Sequence, residues 1–205
     1  MILLPICYAA PTAYYYYLIN FPCQIEIFAS YHKQTYANRC YIATSNGVEA
    51  LSIPIEKNKG KTLIKDIKIS NTTSWQTAHY RAISSAYSSS PFFEYFSDDI
   101  YETYSRRYDF LLDFNLDLQA RIIKLLNYKN LNISLSHTYL SNAYKEYIDL
   151  RQEFSAKKPF LEIPNIIQKP YHQVFSYKYG FTPNLSIFDL LFNIGHEARI
   201  YLQMV

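Results

Sequence analysis

Lys33, Asn38 and Arg39 fall within one short polar stretch, YHKQTYANRCYI, that precedes an apolar run. A lysine supplies a mobile point charge and an arginine a planar donor fork, so together they suit a phosphate or carboxylate. Asn38 beside them can orient a hydroxyl or an amide. The same residue types also suit a solvated loop whose Asn and Arg satisfy backbone groups. Trp75 and His79 are four residues apart, which places them on one face of a helix. A histidine pointing into a polar cleft can act as acid or base near neutral pH; at the edge of a core it is simply a hydrogen-bonded core residue. Arg106-Arg107 reads as a solvated helix face with local ion pairs. Asp189 reads as a helix cap rather than a catalytic acid.

Other chemistries are excluded by what the sequence lacks. There is no glycine-rich dinucleotide loop, Walker loop, GxSxG elbow or HExxH pair, and four glycines leave little material for a backbone phosphate cradle. The histidines at 32, 79, 137, 172 and 196 are not spaced with acids as a ligand set, so no metal is expected, and no motif names a cofactor. A net charge of +3, from 20 basic and 17 acidic residues without a basic run, makes nucleic acid an unexpected partner.

Cys7, Cys23 and Cys40 form no CxxC pair and are expected as reduced thiols in a cytoplasmic protein. Residues 1–25 carry no charge, but they lack a basic leader, and Pro5, Pro11 and Pro22 interrupt the apolar run. An integral membrane protein is therefore not expected. The 22 tyrosines suit a core boundary and surface, an aromatic substrate groove, or an interface with a protein partner or a second copy of the chain.

The elements that must position these residues follow from hydrophobic period and turn chemistry. Residues 2–8 read as a buried strand, Pro11 opens a short aromatic helix over 12–19, and residues 24–27 alternate as a second strand. The polar stretch then follows a strand, where α/β proteins carry ligand loops. Residues 40–44 and 48–55 read as a hairpin around Ser45-Asn46-Gly47, with Leu51, Ile53 and Ile55 on one face. Another strand is expected at Ile67 and Ile69, adding an antiparallel piece to the sheet.

Thr73 and Gln76 have capping-box spacing ahead of a helix that should run to about residue 88. Apolar residues from Ile100 to Leu125, with Tyr104, Tyr108, Leu111, Leu118 and Ile122 between, predict one long central helix. Further along, residues 131–135 suit a strand, 139–154 a polar helix or ordered loop, the segment containing Pro159, Pro164 and Pro170 an extended connection, and 172–177 a late strand. Ser186, with Asp189 three residues on, caps a closing helix that ends at Gly195. No repeat or polar linker divides the chain. The expectation is an α/β fold, a single compact domain over residues 1–205 with a mixed sheet and several packing helices.

Several ordered motifs resemble the WbqC-like protein family, especially its short members from Bacteroidetes-type genomes. They are Lys33 with Tyr36, Asn38 and Arg39; Asn46, Gly47, Leu51 and Pro54; Trp75, His79, Tyr87, Pro91 and Phe92; and PNLSIFDLLFN at 183–193 followed by Gly195, Glu197 and Ala198. The resemblance implies a role in bacterial surface-polysaccharide synthesis, such as lipopolysaccharide O-antigen, as a transferase modifying a sugar. Its substrate would be a small molecule such as a nucleotide sugar. Lys33 and Arg39 would hold the anion, Asn38 and Trp75 would contact the substrate, and His79 would be the proton acceptor. Longer members carry His-Gln-Pro after the first strand, where this chain has Pro5, Ile6 and Cys7. It also lacks a longer glycine-containing segment before the C-terminal motif. The alternative is therefore a noncatalytic ligand-binding or assembly protein that kept the fold.

Overall fold

The computed structural model describes residues 1–33, 35–57, 60–141, 146–154, 166 and 168–204. The chain opens with β1 (Ile2–Pro5), α1 (Thr12–Asn20) and β2 (Cys23–Glu26). β1 and β2 pair in parallel from Ile2↔Cys23 to Pro5↔Glu26. β5 (Ile133–Leu135) joins β2, and β6 (Ile148–Asp149) joins the free side of β1, both in parallel. The order β5-β2-β1-β6 reverses direction between β1 and β6, which is the topological switch point of a doubly wound sheet. Ile2, Leu3 and Leu4 are all buried, as expected of a central parallel strand covered on both faces.

β3 (Arg39–Thr44) and β4 (Gly47–Ser52) form a separate antiparallel sheet, registered from Arg39↔Ser52 to Thr44↔Gly47. The α/β class is as the sequence indicates, with parallel and antiparallel strands in distinct sheets. In the hairpin turn the positive φ falls on Gly47, at 104°, and not on Asn46. Thr44 Oγ1 stabilises the turn by donating to Gly47 O and accepting from Asn46 N.

Helix α2 (Trp75–Tyr87) packs on β3, α3 (Phe93–Ser105) packs on α2, and α4 (Leu111–Leu125) packs on α3. The expected long helix is thus two. Between them, residues 106–110 leave helical geometry to bond residues 67–69, through Ile69 N to Asp109 O and Leu111 N to Ile67 O. These contacts and the isolated Lys68↔Phe110 bridge replace the strand expected at 67–69, which follows a 3-10 turn at Ile64–Asp66. Nor does the capping box form: Ser74 precedes α2 without a side-chain cap, and Gln76 Nε2 reaches across to Arg106 O at 2.7 Å.

The late strand at 172–177 is absent. That segment enters a single helical turn, α5 (Ser176–Tyr179), because Gln173 is drawn into bonds with Thr182. The edge strand β6 lies within the region read as polar helix or loop; two residues are too few to produce an alternation. Pro159 and Pro164 lie outside the described residues.

α6 (Ile187–Ile194) is capped by Ser186, whose Oγ accepts from Phe188 N, and ends at Gly195 with φ 57°. α7 (Glu197–Met204) follows. Several tyrosines lie deeper than a core boundary: Tyr8, Tyr14, Tyr15 and Tyr87 are fully buried. The hydroxyls of Tyr8, Tyr14 and Tyr87 find partners inside the fold, as in Tyr14 OH to Pro5 O at 3.0 Å and Ala43 N to Tyr87 OH at 3.1 Å. The three cysteines are free and buried. Among the described residues no helix is long and apolar enough to cross a membrane, and no group of three or more metal-ligating side chains converges.

Candidate functional site

A doubly wound sheet offers its ligand crevice outside the carboxyl ends of the strands at the switch point. Here the amides at the start of α1, which would face an anion in that crevice, are occupied by the chain's own C-terminal motif. Thr12 N donates to Leu185 O at 3.1 Å and Ala13 N to Asn184 Oδ1 at 3.4 Å, while Tyr14 N donates to Pro11 O. Asn184 holds this position in the left-handed region, at φ 55°. The end of β2 is closed as well. Buried Glu26 accepts from Phe28 N, Ser136 Oγ and Leu140 N at 2.7–2.8 Å, with Arg151 Nη1 at 3.4 Å.

The polar stretch after β2 leads into the hairpin instead. Arg39 begins β3 and Ser52 ends β4 as direct partners, and Arg39 Nε donates to Ser52 Oγ at 2.9 Å. Among the described residues no carboxylate pairs with Arg39 or with exposed Lys33. Asn38 braces the loop: Nδ2 donates to Ile53 O at 2.9 Å, Oδ1 accepts from Tyr31 OH at 3.1 Å, and its carbonyl accepts from Ile53 N. Burial pushes the Tyr31 hydroxyl's pKa up, and the nearby Arg39 charge opposes that rise. From α4, Asn115 Nδ2 donates to Ala37 O at 2.8 Å and fixes the loop from below.

His79 and Trp75 share the buried face of α2, with ring centroids 5.3 Å apart. His79 Nδ1 lies 2.9 Å from Tyr8 OH, which lies 2.7 Å from Tyr104 OH. Burial lowers the His79 pKa to about 4, against a backbone hydrogen bond at Ser52 that favours the charged form. The imidazole is therefore neutral at neutral pH, and its ring is engaged within the fold. Ser52 holds Arg39 through its hydroxyl. Trp75 stacks edge-on to Phe114 at 5.1 Å, and its Nε1 has no hydrogen-bond partner among the described residues.

Of the residues singled out in the sequence, Asn38 and Arg39 are thus fixed to Ile53 and Ser52, His79 and Trp75 pair with each other on α2, and Lys33 is exposed and touches none of the four through a hydrogen bond or ion pair. Ser52, Tyr8 and Asn115 were not singled out. Ser52 had a signal: a turn pairing residue 44 with 47 also pairs 39 with 52. Tyr8 and Asn115 had none beyond their polarity.

Asp189 lies in the first turn of α6, almost wholly buried, and accepts from Tyr171 OH at 2.7 Å and Gln173 Nε2 at 2.8 Å. Burial raises its pKa to about 6 despite those bonds and one from Tyr87. Arg106 pairs with Glu102, and Arg107 lies 3.7 Å from Asp109, both on the surface.

The fold is that of an α/β protein, and its best candidate ligand group is an arginine braced by Ser52 and without a carboxylate partner among the described residues. The chain belongs to the WbqC-like protein family, whose model matches residues 28–158 and 136–201. It is also similar to the uncharacterized protein Rv1507c of Mycobacterium tuberculosis, at 27% identity over 228 residues that cover 92% of this chain and 91% of the relative. No solved structure matches.

Proposed function

We propose that this protein binds an activated sugar or related anionic metabolite at Arg39 and serves as a transferase in bacterial surface-polysaccharide biosynthesis. The observation that carries the anion site is the Arg39 guanidinium, braced at Nε by Ser52 and without a carboxylate partner among the described residues. A charge held in place and left uncompensated is ready to pair with a ligand phosphate through its terminal nitrogens. Family membership supports the polysaccharide context. Asn38 sets the loop's conformation, and Lys33 adds mobile positive charge at its rim.

A second reading is favoured by one observation. His79, the best available proton acceptor, is neutral, buried and bonded to Tyr8. An arginine site without an accessible base fits a noncatalytic ligand-binding or assembly protein equally well, and in both readings Arg39 holds the anion. Thermal unfolding with UDP-glucose, acetyl coenzyme A and inorganic phosphate tests the shared step. The expected result is a concentration-dependent rise in Tm with at least one of them, abolished in Arg39→Ala while the unliganded Tm stays the same. No rise with any, or a rise that survives Arg39→Ala, would overturn the site. Turnover of the bound donor decides between transferase and binding protein.

A further inference from the structure

A groove of about 490 Å³ opens where the chain beyond β4 meets the segments on either side of α2 and α3. Its floor is held by backbone bonds: Ser70 N to Pro54 O at 2.9 Å, Glu56 N to Lys68 O at 3.0 Å and Ile69 N to Asp109 O at 2.9 Å. Two cations, Lys68 and Arg107, line it together with two carboxylates, Glu56 and Asp109, so their formal charges cancel. Asn71 and the paired hydroxyls of Ser70 and Thr72, 3.0 Å apart, add neutral donors and acceptors. The Phe110 ring lies 6.0 Å from the Lys68 ammonium and supplies an apolar surface. Neither Glu56 nor Lys68 has an ion pair among the described residues.

This chemistry differs from that at Arg39. A balanced set of acceptors and donors around a ring face does not select an anion. It suits a ligand whose hydroxyls both give and take hydrogen bonds and whose C–H face is apolar. We propose that the groove binds a neutral saccharide. Its position gives the assignment a further meaning, which rests on the function proposed above. Leu51 and Ile53 point inward, while Ser52, Pro54 and Glu56 are more exposed and alternate with them. Glu56 therefore lies on the same face as the Arg39 support at Ser52, about 13 Å further along an extended segment. A neutral sugar in the groove would lie along the extended segment that continues β4 from an anion at Arg39.

Saturation-transfer NMR with maltose, N,N'-diacetylchitobiose and glycine tests the groove on the full chain, using wild type, Glu56→Gln, Lys68→Gln and Arg39→Ala. The expected result is saturable transfer to at least one disaccharide, weakened about tenfold by Glu56→Gln through loss of a charged acceptor. It should persist in Arg39→Ala and in the presence of inorganic phosphate. Transfer to neither sugar would overturn the proposal. So would transfer lost in Arg39→Ala but kept in both groove variants, which would move the sugar to the arginine, or transfer to glycine in place of the sugars, which would make the ligand a zwitterion. The function proposed above is read from anion binding at Arg39 and the groove from neutral sugar at Glu56, so either can fail alone.

Discussion

Asp189, in the first turn of α6, meets donors from Tyr171, Gln173 and Asn193, whereas Arg39, at the head of β3, meets one serine hydroxyl and no carboxylate among the described residues. The carboxylate is sealed in the core and the guanidinium is only partly covered. A buried charge must have its hydrogen bonds made internally or it does not persist; an arginine at a rim can leave its terminal nitrogens to water or a ligand. The Asp189 cluster therefore ties residues 171–173 to α6, and the Arg39 cluster is left to recognition. Mutation should separate the two, with stability lost at the first and binding lost at the second.

The largest effect is expected at Asp189. Asp189→Ala strands several buried donors and should lower unfolding free energy by about 3 kcal/mol or more, read as a fall in urea midpoint at unchanged slope. A loss under about 1 kcal/mol would deny the cluster its structural role. Next is Gly195→Ala. Its new methyl would meet the Phe92 ring at 2.5 Å on a backbone with φ 57°, and about 2 kcal/mol of destabilisation is expected from the same measurement.

The pH dependence sharpens the comparison, because two buried groups oppose one another. Asp189, raised from 3.8 to about 6, contributes stability that is complete below its unfolded pKa and lost as pH rises through about 6. His79, lowered from 6.5 to about 4, contributes stability that is complete above its unfolded pKa and lost as pH falls through about 4. Across this window the two contributions offset each other. Relative to wild type, Asp189→Asn should therefore gain stability as pH rises from 4 to 6, and His79→Gln should lose it. Parallel pH profiles for all three proteins would contradict the burial of both groups.

The smallest effect on stability is expected at Arg39: Arg39→Ala should change the urea midpoint by no more than about 0.5 kcal/mol. Anion affinity should nevertheless fall about tenfold or more.

The sequence made the local parts legible. Period and caps located β1, α1, β2, the hairpin and α6, because each is written in adjacent residues. What it concealed was set by distant contacts. Residues 106–110 continue a helical pattern, yet their pairing with 67–69 breaks the helix. Gln76 stands three residues after Thr73, yet its amide bonds Arg106. The polarity of the Arg39 loop was readable; the pairing of Arg39 with Ser52 required the hairpin register. That Asn184 and Leu185 cover the start of α1 could not be read from residues so far apart in sequence.

The central claim, that Arg39 is a braced cation awaiting an anion, is tested most directly by NMR of the arginine Nε–H groups during titration with inorganic phosphate. Assignment of the Arg39 signal follows from its loss in Arg39→Lys. The account predicts that the Arg39 Nε–H, already protected by Ser52, shifts saturably while that of Arg106, paired with Glu102, does not. A stationary Arg39 signal, or equal unsaturable drift at every arginine, would contradict it.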